Sequence, residues 1–164
     1  MIHKDRMTAQ IEGEFVVFLI GMRINQPWKI HKWLPTLLAM PSMLKELYQN
    51  PDLGLLHHEM WVSRTIILVQ YWRSMDQLMS YASNKNAAHL PAWQAFNRSV
   101  GSDGSVGIWH ETYAIQDASR HAGAYETMYV NMPAFGLGKA GLLEKAQGKR
   151  NSARGRLGAA ATGN

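Results

Sequence analysis

The sequence predicts an α+β domain, and three patterns in the chain lead to that fold class. Nearly continuous apolar runs with β-branched residues at 14–24 and 65–72 are typical of buried strands. Apolar residues at spacings of three and four between 30 and 49 predict a helical region between those strands. With a second helical region after residue 74, the element order is β-α-β-β-α-β-β. Two βαβ-like halves around an antiparallel hairpin form the ferredoxin-like pattern.

The first half of the chain contains one strand and one helical region. The strand over 14–24 follows a polar lead-in at 1–12. The helical region 30–49 is interrupted by Pro35 and Pro41, and proline kinks the interior of a helix. We therefore predict either two short helices or one kinked helix.

The middle of the chain predicts a hairpin and a second helical region. Strands over 55–62 and 65–72 are joined by a two-residue turn, and the second strand is the more apolar. Ser74 is a suitable N-cap for the next helix. That helix breaks at 83–86 and resumes as a helix over 88–98.

The last part of the chain predicts shorter elements. A flexible loop over 101–107 leads into a strand at 108–115 with alternating side chains. A turn at Ala122-Gly123 precedes a short strand over 125–131, and a short helix is predicted over 137–146.

The basic charge of the chain belongs to its last part. We predict a domain over 13–137 and a Gly/Ala-rich tail over 138–164. The tail has six basic residues and one acid, so 6 − 1 = +5 accounts for the whole net charge of +5. Such tails are typical of mobile, solvated segments. The basic part of the tail contains no aromatic residue, so we predict no nucleic-acid partner.

Composition excludes several classes of site and setting. The chain has no cysteine, which excludes disulfides, thiolate metal ligands and cysteine nucleophiles. No apolar run reaches the roughly 20 residues that a membrane span needs. The polar start of the chain does not resemble a signal peptide. We expect a cytoplasmic protein.

The apolar strands also predict a homodimer. Helices cover one face of a small four-stranded sheet, whereas the runs at 15–24 and 65–72 are apolar on both faces. A second copy of the chain is the simplest cover for the other face.

One helix face carries residues that could do chemistry. His89, Trp93 and Asn97 are spaced by four residues, so they share a side of the predicted helix. That side either lines a pocket or belongs to an ordinary core.

Several segments together resemble a known family. They are VVFLIGMRIN (16–25), LVQYWRSMDQLMSYA (68–82), HLPAWQAFNR (89–98), GIWHETY (107–113) and YVNMPAFGLGKA (129–140). In this order they resemble a branch of the antibiotic-biosynthesis-type monooxygenases, the branch typified by the fumagillin-pathway monooxygenase. These proteins are similar in fold to the dimeric α+β barrel superfamily, to which the resemblance assigns them. The resemblance implies a homodimer with a pocket between helices and sheet in each subunit.

The resemblance leaves two kinds of chemistry open. The superfamily includes cofactor-free oxygenases of electron-rich aromatic molecules, and it also includes haem proteins. Haem-degrading members carry their iron-ligating histidine on the helix after the third strand, where His89 falls. His89 is therefore a candidate haem ligand or acid/base group, with capping of the preceding loop as its structural alternative.

The other candidates follow from the same two possibilities. Trp93 and Tyr113 would form pocket walls, and Asn97 would hold a developing oxyanion or cap the helix. His110 belongs with Ile108 and Thr112 to the more apolar of the two alternating sets of its strand, so we expect it to be buried rather than its neighbour Glu111. His110 is therefore a second acid/base candidate, with a hydrogen bond at the dimer interface as its structural alternative. Arg23 would hold a haem propionate or a substrate carboxylate, or form a salt bridge.

The resulting functional hypothesis is a monooxygenase-like oxidoreductase acting on a hydrophobic or aromatic small molecule. Its cofactor is either none or haem. The alternative is a non-catalytic dimer that binds haem or a small molecule as a carrier or sensor.

Overall fold

A computed structural model of the 164-residue chain describes residues 1–85, 87, 89–116 and 125–152. The side chains of residues 89, 149 and 150 are outside this description. Its strands are β1 (Met7–Gln10), β2 (Phe15–Ile24), β3 (Leu55–Trp61), β4 (Thr65–Trp72), β5 (Val106–Ile115) and β6 (Leu142–Lys145). Its α-helices are α1 (Ile30–Gln49), α2 (Met75–Ser83), α3 (His89–Ser99) and α4 (Leu137–Ala140).

The main sheet has four antiparallel strands in the order β3-β4-β2-β5. The two long apolar strands are central, and β3 and β5 are the edges. The helices follow β2 and β4, so each connection returns the chain to the same side of the sheet. This is the ferredoxin-like arrangement, and the predicted α+β fold class is confirmed.

The helical layer largely follows the predicted boundaries. Pro35 and Pro41 both lie inside α1, which is a single helix rather than two. Ser74 caps α2 as predicted, since its side chain accepts a hydrogen bond from the backbone N–H of Gln77 at 3.2 Å. Phe96 and Val100 attach α3 to the apolar core over β2 and β4.

The two faces of the sheet are buried to different degrees. Along β4, Ile66, Leu68, Gln70 and Trp72 are buried, and the residues between them are only partly buried. The buried set faces the helices, and we call the opposite side the open face. The expectation that β2 and β4 are buried on both faces is therefore not met within one chain.

A second, smaller layer covers one end of the open face. Strand β1 pairs with β6 in an antiparallel ribbon, and α4 precedes β6 directly. Phe15 in β2 and Tyr71 in β4 pack against this layer through Leu137. The polar lead-in of the chain thus contains a strand that the sequence pattern did not reveal.

Two predicted elements near the end of the chain are wrong. Instead of a strand over 125–131, only Tyr129 forms an isolated bridge in that range, with Met7. Instead of a helix over 137–146, one turn of helix ends at Gly141 and β6 follows. A Cβ on Gly141 would lie 2.2 Å from the Gln10 carbonyl oxygen, so the close approach to β1 determines the local structure.

The turn at 122–123 lies outside the described residues. The boundary at 137/138 stays a prediction, although β6 shows that the first residues of the proposed tail pair with β1. No helix in the described part of the chain is long and apolar enough to cross a membrane.

Candidate functional site

A cleft lies between the main sheet and the helices α1 and α2. Its interior volume is about 70 Å³. The strands contribute Phe18, Ile20, Gln70 and Trp72 to its lining, and the helices contribute Met40, Met43, Leu44, Leu47, Leu78, Tyr81 and Ala82. Apolar side chains with a few polar groups are the usual lining of a small-molecule site.

Gln70 is the polar side chain that the sheet contributes to this cleft. It lies two residues before Trp72 on β4, so both point to the helix side. The Trp72 Nε1–H donates to Gln70 Oε1 at 2.9 Å, and both residues are buried. This hydrogen bond holds the amide in one orientation.

Tyr81 and Glu46 connect the two helices at the cleft. The Tyr81 hydroxyl donates to Glu46 Oε2 at 2.9 Å, which joins α2 to α1. Burial, followed by the hydrogen bond to the Glu46 carboxylate, raises the pKa of Tyr81 well above its usual value. Tyr81 is therefore neutral at physiological pH. Its ring also packs on Trp72, with ring centroids 5.8 Å apart.

The lining decides which groups the cleft can bind. The described lining contains no lysine, arginine or histidine, so it offers no countercharge to an anion. It also offers no imidazole or thiolate to a haem iron, so these residues do not fit a haem in the cleft. Among the described residues, no group of three or more His, Cys, Asp or Glu side chains could hold a metal ion.

Of the predicted face of α3, neither Trp93 nor Asn97 lines this cleft. His89 is the first residue of α3, and its side chain is outside the description. Trp93 is 43% exposed and stacks on Phe96 with 5.5 Å between ring centroids. Asn97 is exposed. The core side of α3 carries Phe96, and Val100 directly after the helix joins the same cluster. Trp93 and Asn97 lie outside that core in the single chain, and their roles stay predictions.

His110 lies next to a residue of the cleft lining. It is on the helix side of β5 opposite Ile20, and its ring lies 5.8 Å from that of Phe18, a lining residue. The expectation that His110 is buried is wrong, because its strand is at the sheet edge and the side chain is exposed.

Tyr113 and Arg23 lie away from the cleft. Tyr113 is on the open face because it differs from His110 by an odd number of residues, so it cannot form a wall of the cleft together with Trp93. Its hydroxyl donates to Glu111 at 2.6 Å. Arg23 is exposed at the end of β2 and donates to Thr65 Oγ1 at 2.6 Å.

A second polar cluster on the open face has a structural role. Glu59 Oε1 accepts hydrogen bonds from the Gly136 backbone N–H at 3.1 Å, from Lys139 Nζ at 3.0 Å and from His57 Nε2 at 3.0 Å. Burial raises the pKa of Glu59, but the three donors together outweigh burial and the pKa is lowered. The cluster attaches the segment before β6 to β3.

Sequence reasoning missed the polar residues of the cleft. Gln70 interrupts an otherwise apolar strand two positions before a tryptophan, and that pattern is a usable signal because a buried amide needs partners. Tyr81 and Glu46 are 35 residues apart on different helices, so no local pattern links them.

Comparison with known proteins agrees with the resemblance found in the sequence. The family profile described as Monooxygenase af470-like matches residues 15–137. No curated protein sequence matches the chain.

Two solved structures are among those similar to this chain at low identity. SnoaB, a cofactor-independent oxygenase from Streptomyces nogalater, is 12% identical with a TM-score of 0.44, covering 61% of this chain and 91% of SnoaB. A dimeric ferredoxin-like protein from an uncultured marine organism is 14% identical with a TM-score of 0.37, covering 63% and 96%.

Proposed function

This chain belongs to the Monooxygenase af470-like family, and we propose that it is an oxygenase whose substrate, an apolar aromatic small molecule, binds in the cleft between the sheet and helices α1 and α2. The observation that carries the proposal is the cleft itself. Its walls combine aromatic, methionine and leucine side chains with a buried amide, a lining that suits a flat apolar molecule.

The reaction that fits these residues uses the substrate as its own reductant. Removal of a proton from a phenol-like substrate gives an anion that transfers electrons to O₂, and a carbon–oxygen bond forms. The C–H bond at that carbon and the O–O bond break, one oxygen atom remains in the product as a quinone-type carbonyl, and the other leaves as water. The two hydrogens of the water come from the phenolic O–H and the C–H of the substrate, which is the only electron donor. Acid/base help would come from His110, which lies at the Phe18 side of the cleft, or from His89.

Oxygen consumption tests this proposal. We would measure O₂ uptake by the purified protein with 1-naphthol and 1,5-dihydroxynaphthalene as probes. Leu44→Trp would fill the cleft and should reduce uptake at least tenfold, while Leu38→Trp places the same ring on an exposed position of α1 and should leave it unchanged. Probe binding without oxygen uptake would favour the alternative of a non-catalytic carrier or sensor.

A haem-dependent version places the iron on His89 and is tested separately. Addition of haemin should leave the visible spectrum that of free haemin if the cofactor-free proposal holds. A sharp Soret band that changes in His89→Ala would instead support the haem version. In that case Arg23 would be the residue to examine for a contact with a propionate.

We also propose that the protein is a homodimer. The β1–β6 layer covers only one end of the open face, and Leu19, Ile67, Val69 and Trp109 remain partly exposed beside the exposed Trp61. Apolar surface of this kind is typical of a protein interface. A cytoplasmic setting, and the lack of a nucleic-acid partner, stay predictions.

A further inference from the structure

We propose that Gln70 is the residue of the cleft that selects its ligand, by donating an amide N–H to an uncharged acceptor oxygen such as a ketone carbonyl. This inference rests on the proposed function, because it takes the cleft to be the ligand site. It adds the chemical class of the ligand, an aromatic molecule that carries an uncharged acceptor oxygen, and the residue that recognises it.

The orientation of the Gln70 amide follows from its neighbour. The indole Nε1–H of tryptophan can only donate, so the amide atom 2.9 Å from Trp72 Nε1 must be the oxygen. The amide NH₂ group therefore points away from Trp72. Among the described residues, no group accepts a hydrogen bond from this NH₂ group. Trp72 is 1% exposed, so packing holds the indole in place as a rigid support.

The environment of the amide determines what it can bind. Gln70 is 7% exposed in a cleft with mainly apolar walls, and a ligand that excludes water from its amide leaves the N–H without a partner unless the ligand carries an acceptor. A carbonyl oxygen provides that acceptor, and a hydrocarbon of the same shape does not. A carboxylate or phosphate is disfavoured, because the described lining has no cation and the Glu46 carboxylate lies beside Tyr81.

The same donor would also serve the proposed reaction. When a phenolic or enolic substrate loses its proton, negative charge develops on its oxygen. A preorganised N–H in an apolar site stabilises that charge more strongly than it stabilises the neutral ground state. Gln70 thus combines recognition of the acceptor oxygen with stabilisation of the anion derived from it.

The test compares two ligands that differ only in a carbonyl group. We would measure the Kd of 1-indanone and of indane by fluorescence and NMR titration with the full-length protein. The wild type should bind 1-indanone several-fold more tightly, and the Gln70 side-chain amide protons should shift downfield with 1-indanone alone. In Gln70→Met, which keeps the length and removes the donor, the two Kd values should become similar.

Each outcome decides the inference. Equal Kd values in the wild type, or a preference for 1-indanone that persists in Gln70→Met, would overturn the role of Gln70. If neither compound binds the wild type, the cleft is not a ligand site and the inference is wrong with it. The wild-type amide shift keeps the test valid if Gln70→Met does not fold. Absence of oxygen uptake alongside selective binding would contradict only the proposed reaction.

Discussion

At the scale of single residues, the polarity of the cleft depends on side chains whose hydrogen-bonding roles are forced by their partners. The Trp72 indole N–H can only donate, and Glu46 Oε2 accepts from the Tyr81 hydroxyl. Gln70 Oε1 therefore accepts a hydrogen bond from Trp72, and the Tyr81 hydroxyl donates one to Glu46. A buried polar network of this kind specifies one arrangement because every alternative leaves a group unsatisfied.

Removal of the Tyr81 hydroxyl should therefore destabilise the protein. Tyr81→Phe deletes the donor to Glu46 at 2.9 Å while keeping the ring that packs on Trp72. Hydrogen bonds to charged groups contribute about 1.5–3 kcal/mol, and we expect a loss in that range in urea denaturation. Tyr113→Phe is the matched control, since its hydroxyl bonds Glu111 on an exposed strand, and it should not change the unfolding midpoint. Equal effects of the two variants would contradict this account.

Glu59 should make stability depend on acid pH. Its pKa is lowered from 4.5 in the folded chain, so the unfolded chain takes up the proton first as the pH falls. The stabilisation by the carboxylate is therefore complete above pH 4.5 and is lost as the pH falls through the folded pKa. Glu59→Gln should cost about 1 kcal/mol at pH 7, the magnitude of a hydrogen bond.

Urea denaturation of both proteins between pH 7 and pH 3 checks this expectation. The difference between wild type and Glu59→Gln should shrink below pH 4.5. A difference that stays constant over the whole range would show that the carboxylate charge is not what attaches the Gly136–Lys139 segment to β3.

At the scale of elements, the close approach of a side chain on one strand explains why the neighbouring strand carries a glycine. The Trp109 indole on β5 lies over Gly21 on β2, its direct cross-strand partner. A Cβ at Gly21 would lie 2.3 Å from Trp109 Nε1. A glycine within a central strand is thus explained by the ring that covers it.

Gly21→Ala should displace Trp109 and weaken the pairing of β2 with β5. We expect a loss of about 1–3 kcal/mol, the usual cost of overpacking, together with a changed Trp fluorescence spectrum. Gly107→Ala provides the control on the same pair of strands, because its nearest atom would be 3.8 Å away in ordinary contact. If Gly21→Ala left both stability and fluorescence like those of Gly107→Ala, the packing of Trp109 on Gly21 would be wrong.

An element can be predicted from the sequence when the pattern that defines it is local in the chain. The long apolar runs and the spacing of leucines define β2, β4 and α1, because their burial pattern is local in the chain. Strands β1 and β6 are four residues each and depend on each other across more than 130 residues. Their pairing is therefore absent from any local pattern. The cleft likewise needs Glu46 and Tyr81 to meet across two helices.

At the scale of the whole molecule, the main sheet separates two regions with different roles. The helix side contains the cleft. The open face carries the β1–β6 layer at one end and partly exposed apolar side chains at the other. The cleft belongs to one chain, so ligand binding and association through the open face can be tested independently.

Association through the open face can be tested at Val69. Val69 lies at the centre of that face between Leu19 and Glu59, and it is only partly buried in the single chain. Val69→Arg should therefore leave the subunit folded but place a long charged side chain in an apolar interface, where its burial is costly, so light scattering should show a monomer at a concentration where the wild type is a dimer. Leu38→Arg adds the same charge at a 64% exposed position of α1, on the helix side, and should remain a dimer. A dimeric Val69→Arg protein would place the interface elsewhere, and a monomeric wild type would show that the open face is covered in some other way.

Because the cleft lies on the opposite side of the sheet, the Kd for 1-indanone should be the same in the Val69→Arg monomer as in the wild type.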